Sequence, residues 1–450
     1  MEGRNKRLSI LLVVAAAIAA VVAGTAGART HVHALSGTLD IYGYGPGDDV
    51  QENRAAYAAA QLQGVTIKRE APSFDDQAFL TRLASGDIPD LVRMPRPSLA
   101  LYAAKGVLQP VNSCVTPALA KQYRAGAIKA MSYSGKLYGL PEFTNQVTLV
   151  VNVQAFQEAG VPLAQAQTKN LKQLLATAKK LTKFDSSGNL TRIGFDPKID
   201  SGFGFPMWVK YFGKNIISAN GLKAQINTPA AVKALTFALQ VINVEGGWNK
   251  FVAYRNTFDF FGAQNPLVKD QLGFWPMESF IYNVFANNSP KQHIAARYFQ
   301  NQKGGPITFF SGNGWAIPKG SKNFDAACAY MKAVTSVDAW DIAGAKRLAA
   351  RRAANPPQAF TGLYTANAVA DKKLYEDVYH ATGNPDYDDA VKFLVNAPKY
   401  GFELPPTPAG AQFANAYSSA IQRVLTRQQT VKAALAQAQK EAQAAINANK

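Results

Sequence analysis

The chain reads as an α/β protein of more than one domain whose path crosses a cleft between those domains. Three observations predict this. A length of 450 residues with 48% hydrophobic content can bury a large core and exceeds what one domain usually holds. From Thr38 onward, short apolar runs alternate with helical stretches, the pattern of a parallel, right-handed α/β layer. The third is Tyr133–Gly160, YSGKLYGLPEFTNQVTLVVNVQAFQEAG, where turn residues precede a polar knot, Glu142–Gln146, and then an apolar run, Val147–Val153. A polar knot directly before a buried strand suits a segment passing between two domains.

Thr38–Tyr42 is a short strand leading into the glycine-rich loop Gly43–Gly47, and Asp48–Ala60 is helical. The loop is G-x-G-x-G with an internal proline, which does not match the dinucleotide fingerprint. Gly64–Lys68 is the second strand. Phe74–Leu83 is a helix with Phe74, Ala78, Phe79 and Leu83 at near-helical spacing. Ala84–Asp90 turns into Leu91-Val92, and Met94–Ser98 is a loop before the next helix. Asn170–Leu181 is amphipathic. Thr228–Val241 has a threonine N-cap and a proline in its first turn. Two glycines precede the strand Trp315–Ile317, Phe324–Thr335 is helical, and the alanine-rich tail Val431–Asn449 is a docked helix.

Several of these segments together resemble the extracellular solute-binding proteins, family 1, which serve ABC sugar importers. Gly135-Lys136 to Gly139-Leu-Pro141, Asn152 and Phe156–Gly160 fit that family's first crossover, and Ala84–Asp90 fits its A-x-G-x-[IV]-P-D turn. Ile307–Lys322 and Val424–Ala438 fit its return strand and closing helices. Departures are Lys172-Gln173 for an acidic pair, Arg427 for a glycine, and Gln264–Ala286, which keeps an aromatic but not the full pattern. The resemblance runs from about residue 38 to 447.

It implies a two-lobed, class II-like periplasmic-binding-protein fold with a ligand cleft between lobes joined by several hinge crossovers. Lobe one would hold 38–144 and 309–346, and lobe two 147–306 and 352–450. It further implies a monomeric capture protein that takes up a mono- or oligosaccharide and hands it to ABC permease transmembrane subunits. The alternatives are a glycerophosphodiester or acidic sugar as ligand, presentation to a sensor kinase, and, more distantly, glycoside hydrolysis.

Lys and Arg outnumber Asp and Glu by 48 to 30, a formal charge of +18. The basic residues are scattered rather than striped with aromatics, which argues against nucleic acid. Arg4, Lys6 and Arg7, the apolar run Leu8–Gly24 and Ala26-Gly-Ala28 form an export signal, either cleaved or kept as an anchor. The protein is therefore expected outside the cytoplasm. Cys114 and Cys328 are the only cysteines; neither follows the signal as a lipid acceptor, and spacing leaves their pairing open.

A sugar cleft needs aromatic rings for C–H faces and paired donors and acceptors for hydroxyls. The resemblance places these candidates at the gap: Tyr42 and Tyr44 on the first loop, Asp76 near a helix start, and Arg96 after the P-D turn. Glu142 and Asn145 lie in the first crossover, and Phe205 and Trp208 in SGFGFPMW. Trp275 is the strongest stacking candidate, so the groove is expected between Tyr44 and Trp275. Gly312, Gly314 and Trp315 bring backbone near the ligand, and Arg351 and Phe413 complete the set.

No catalytic constellation is visible. His31, His33, His293 and His380 show no metal spacing, two cysteines cannot complete a cysteine-rich zinc site, and G-x-S-x-G is missing. No cofactor or metal is expected. Glu142 and Glu278 are both near the expected cleft, which keeps a glycosidase pair as the distant alternative.

Overall fold

The computed structural model describes residues 35–450. The export signal and the first two histidines lie outside the described residues. Among the described residues, no helix is long and apolar enough to cross a membrane.

The chain begins with β1 (Gly37–Tyr42), α1 (Asp49–Ala60), β2 (Val65–Glu70), α2 (Asp76–Ser85), β3 (Leu91–Pro95) and α3 (Arg96–Ala104). β1 pairs in parallel with β2 and with β3. Asp48 and Asp75 cap α1 and α2 by accepting from Gln51 N and Ala78 N, satisfying orphan donors of the first turn. Gly86 ends α2 at φ +78, a conformation that suits glycine. After β4 (Gly139–Pro141) the chain enters β5 (Asn145–Asn152), whose Val147–Val151 core is almost entirely shielded from water. Each such aliphatic side chain contributes about 1.5–3 kcal/mol on burial, which fixes β5 as a central strand.

Around β5 lie α4 (Leu171–Leu181), β6 (Leu190–Phe195), α5 (Gly204–Tyr211), α6 (Pro229–Val244), β7 (Leu272–Glu278), α7 (Phe280–Asn288) and β8 (Pro306–Ser311). β7 runs antiparallel to β5 and parallel to β6. β8 joins the other edge of β5 through Phe310–Gln146 and Ser311–Asn145. The chain then returns with β9 (Asn313–Ala316), which inserts between β3 and β4 in the first sheet. α8 (Phe324–Val334) and α9 (Val337–Ala353) follow. Finally α10 (Pro385–Asn396), the short β10 (Gly401–Phe402), α11 (Gly410–Leu425) and α12 (Val431–Ala448) pack with the second sheet.

Two cores result. One joins β1–β4, β9 and α8; the other joins β5–β8 with α10–α12. Two expected boundaries move. Residues 306–311 stay with the second sheet, so the return crossing lies at Ser311–Asn313. Residues 354–378 do not leave the first body at 352: Phe360, Leu363 and Leu374 cluster with Trp340 of α9 and Val50 of α1. The apolar side of α9 is covered only if this segment folds back onto it. Cys114 and Cys328 form a disulfide, which ties the 111–115 turn to α8.

Candidate functional site

Three extended segments cross between the bodies side by side. Glu142 N donates to Asn313 O at 2.9 Å, Ala366 N to Glu142 O at 3.0 Å, and Thr144 N to Tyr364 O at 3.2 Å. The 142–145 segment is therefore the middle strand of a ribbon, with 311–313 on one edge and 364–366 on the other. Buried at its centre, the Glu142 carboxylate binds Arg54 and Arg93, each at 2.5 Å. Burial alone would raise its pKa, but the charges and hydrogen bonds of both guanidiniums outweigh that and hold it below the usual carboxylate range.

A cleft flanks each edge of the ribbon. The front cleft, about 670 Å³, is bounded by residues 309–313. Its first-body wall is Pro95–Pro97, at the carboxyl end of β3. Its second-body wall comes from the loop after β6 (Lys198–Phe203), from Met277 and Glu278 at the end of β7, and from Phe413 and Tyr417 of α11. Carboxyl ends of parallel strands thus aim at this space, as is general in open α/β sheets.

Arg96 spans the front cleft. Its guanidinium forks onto Glu403 of the second body, with both contacts at 3.1 Å, and also donates to Phe143 O at 2.7 Å and Asn313 O at 3.2 Å. Gly312 is required beside it, because a Cβ there would overlap the guanidinium and Phe143 O. Lys198 pairs with Asp196 at 3.1 Å. Glu278 accepts from the Ser311 hydroxyl; burial raises its pKa, and that hydrogen bond offsets the rise only in part. Tyr417 donates to Gly202 O at 3.1 Å and stacks on Phe205.

Of the sequence candidates, Arg96, Asn145, Gly312 and Phe413 line this cleft. The others do not. Trp275 is 0% exposed, opposite Val150 on β5 and packed on Phe285. It lies two residues deeper in β7 than Met277, and that step moves the ring from the cleft into the core. Trp208 is buried with its indole N–H on Pro197 O, and Phe205 lies behind Tyr417. Tyr44 fills the first core edge-on to Trp315, itself buried, and Tyr42 donates to Asp75 O. Gly314 makes room for Met131, and Asp76 accepts from Tyr102. Glu142 is consumed by its arginines. The groove is therefore not flanked by Tyr44 and Trp275, but by Pro95–Pro97 and Phe203 with Tyr417.

Sequence reasoning missed Glu403, Tyr417, Phe203 and Met277, and assigned no ligand role to Glu278. Tyr417 was recoverable, since it stands one helical turn after Phe413 and shares its face. Glu403 carries no local signal in Glu403–Pro406.

The rear cleft, about 460 Å³, lies against Leu363 and Tyr364 at the ribbon's other edge. Arg351 lines it, together with Arg54, Arg93 and Arg347. Asn145 and Phe143 touch both clefts. Among the described residues, no group of three His, Cys, Asp or Glu side chains is arranged to hold a metal.

The comparisons agree with this architecture. A structure of CpMnBP1 with mannobiose bound superposes with a TM-score of 0.70 at 22% identity, covering 90% of this chain and 100% of that one. The ABC substrate-binding protein Lmo0181 of Listeria monocytogenes in complex with cycloalternan gives 0.68 at 19%, covering 92% and 99%. The maltose/maltodextrin-binding domain MalE of Bdellovibrio bacteriovorus bound to maltotriose gives 0.68 at 17%, covering 91% and 100%. The chain thus has the two-lobed fold of periplasmic binding proteins. No curated protein sequence matches it. The family model for bacterial extracellular solute-binding proteins matches residues 54–341, well over half of the chain, and the protein belongs to that family.

Proposed function

We propose that this protein captures a neutral mono- or oligosaccharide in the front cleft, closes its lobes on it and delivers it to the transmembrane subunits of an ABC importer. One observation carries the choice of a neutral ligand: the basic groups of the front cleft are already paired within the protein. Arg96 is matched by Glu403 and Lys198 by Asp196, and Glu278 adds a carboxyl that disfavours anions. Phe203, Phe413 and Tyr417 offer apolar surface for sugar C–H faces. Asn145, Ser311 and Glu278 offer donors and acceptors for hydroxyls. The proteins named above were solved with mannobiose, cycloalternan and maltotriose, which supports an oligosaccharide.

An acidic sugar or glycerophosphodiester is the weaker reading here, because Arg96 is engaged and Arg351 lies outside the front cleft. Glycoside hydrolysis by Glu142 and Glu278 is not favoured either, since two arginines hold Glu142 away from the cavity lining. Binding is then conformational and without turnover, by a monomer outside the cytoplasm. A thermal-shift screen of the purified protein against neutral and acidic sugars tests the reading, because a ligand of the folded state raises the melting midpoint. A neutral oligosaccharide should produce the shift. A panel in which only acidic sugars act, or none do, would overturn it.

A further inference from the structure

Apart from Phe143 and Asn145, which line both clefts, the rear cleft shares no lining residue with the site of capture. Its first-body wall carries four guanidiniums. Glu142 takes Arg54 and Arg93, while Asp48 and Asp49 take Arg347. That leaves Arg351, which forms no ion pair among the described residues and donates only to the Gln358 carboxamide at 3.0 Å. Burial, and then the charge of Arg347, lower its pKa, as expected for a cation held beside another cation. On the opposite wall Phe261 is 62% exposed and lies parallel to Phe280, with ring centroids 6.3 Å apart. Asn283 and Asn287 lie on the same wall. A cation with no ion-pair partner among the described residues, offset only by the more distant charge of Asp49, and an exposed flat ring therefore bound one cavity from its two sides.

We propose that the rear cleft is a second binding site, for a small organic anion whose carboxylate or phosphate pairs with Arg351 and whose ring lies against Phe261. The two clefts lie at opposite edges of the crossover ribbon, so a rotation that narrows the front cleft widens the rear one. An anion bridging both rear walls holds the front cleft open and weakens capture there. By linkage, the front ligand weakens anion binding by the same factor. This coupling, unlike the site itself, rests on the capture reading.

Calorimetric titration of the full protein with glucose 6-phosphate tests the site, with glucose and inorganic phosphate as controls. Binding to the wild type is expected, with a loss of about tenfold or more in Arg351→Gln, as for a lost charge-assisted hydrogen bond. Phe261→Ala, at an exposed position that folding does not need, should lose several-fold, and Glu278→Gln in the front cleft should leave the affinity unchanged. The proposal is overturned if glucose 6-phosphate does not bind, or if all three variants match the wild type. It is also overturned if inorganic phosphate binds equally well, or if Glu278→Gln alone alters binding. Saturating glucose 6-phosphate should also weaken the sugar found by the thermal-shift screen; an unchanged sugar affinity overturns the coupling. If no sugar is found but glucose 6-phosphate binds through Arg351, the capture reading fails and the rear site stands.

Discussion

Replacing Glu403 by glutamine tests whether the ion pair across the front cleft forms as the lobes come together. Arg96 is 2% exposed and, among the described residues, has Glu403 as its only carboxylate partner, from the opposite body. Glu403→Gln keeps the shape and one acceptor, and Arg96 keeps Phe143 O and Asn313 O, but the compensating charge is lost. Breaking a buried pair from one side costs about 3–5 kcal/mol, and the remaining acceptors place this case near 3. When the lobes stand apart, water solvates Arg96 and the pair contributes little. The loss then falls on closure, so about 3 kcal/mol appears as roughly 100-fold weaker sugar binding. The assay is calorimetry with the sugar from the screen, run beside thermal melts of the free protein, whose midpoint should hardly move. A melting midpoint that drops by many degrees while sugar affinity stays within twofold would refute the reasoning, because the pair would then belong to the folded body and not to closure.

Glu142→Gln should lower the urea midpoint by an amount equivalent to about 3–5 kcal/mol, since two guanidiniums lose their buried carboxylate. The depressed pKa of Glu142 makes its contribution complete above the ordinary value of 4.5 and lost as pH falls through the folded value. The wild type should therefore lose stability more steeply below about pH 4 than the variant, and parallel acid profiles would count against this. For Glu278 the sign reverses: its raised pKa favours the folded state below the ordinary value of 4.5, and this advantage fades as pH rises through the folded value. Glu278→Gln should accordingly raise the melting midpoint of the free protein at pH 7, and a lower midpoint would show that the charged form is well solvated. Reducing Cys114–Cys328, which closes a separation of 214 residues, should destabilise by up to about 5 kcal/mol of chain entropy. An unchanged midpoint with and without reductant contradicts that.

The fold was largely legible because its signals are local. Val147–Val151 has no polar residue other than Thr148, so only a buried strand accommodates it, and Thr228-Pro229 announces a helix by capping chemistry alone. The site was legible only in part. Asn145 and Gly312 lie in crossovers that the motifs marked, and both reach the cleft. Trp275 did not, because strand periodicity tells which residues share a face but not how deep along the strand a cleft ends. Tyr44, Phe205 and Trp208 failed for a related reason: large aromatics near a cleft also fill the cores behind it, where each buries more area.

From the order of residues alone come the alternating strands and helices, the expectation of an export signal and the crossover at 142–146, since each depends on neighbours within a few positions. The partners of the charged groups depend on folding. Arg96 meets Glu403 across 307 positions and Arg54 meets Glu142 across 88. Coulomb energy and desolvation are set by distance and burial in space, which sequence spacing does not encode. Only the tertiary structure could therefore decide that one arginine, Arg96, is paired with Glu403 in one cleft while another, Arg351, has no ion-pair partner among the described residues in a second.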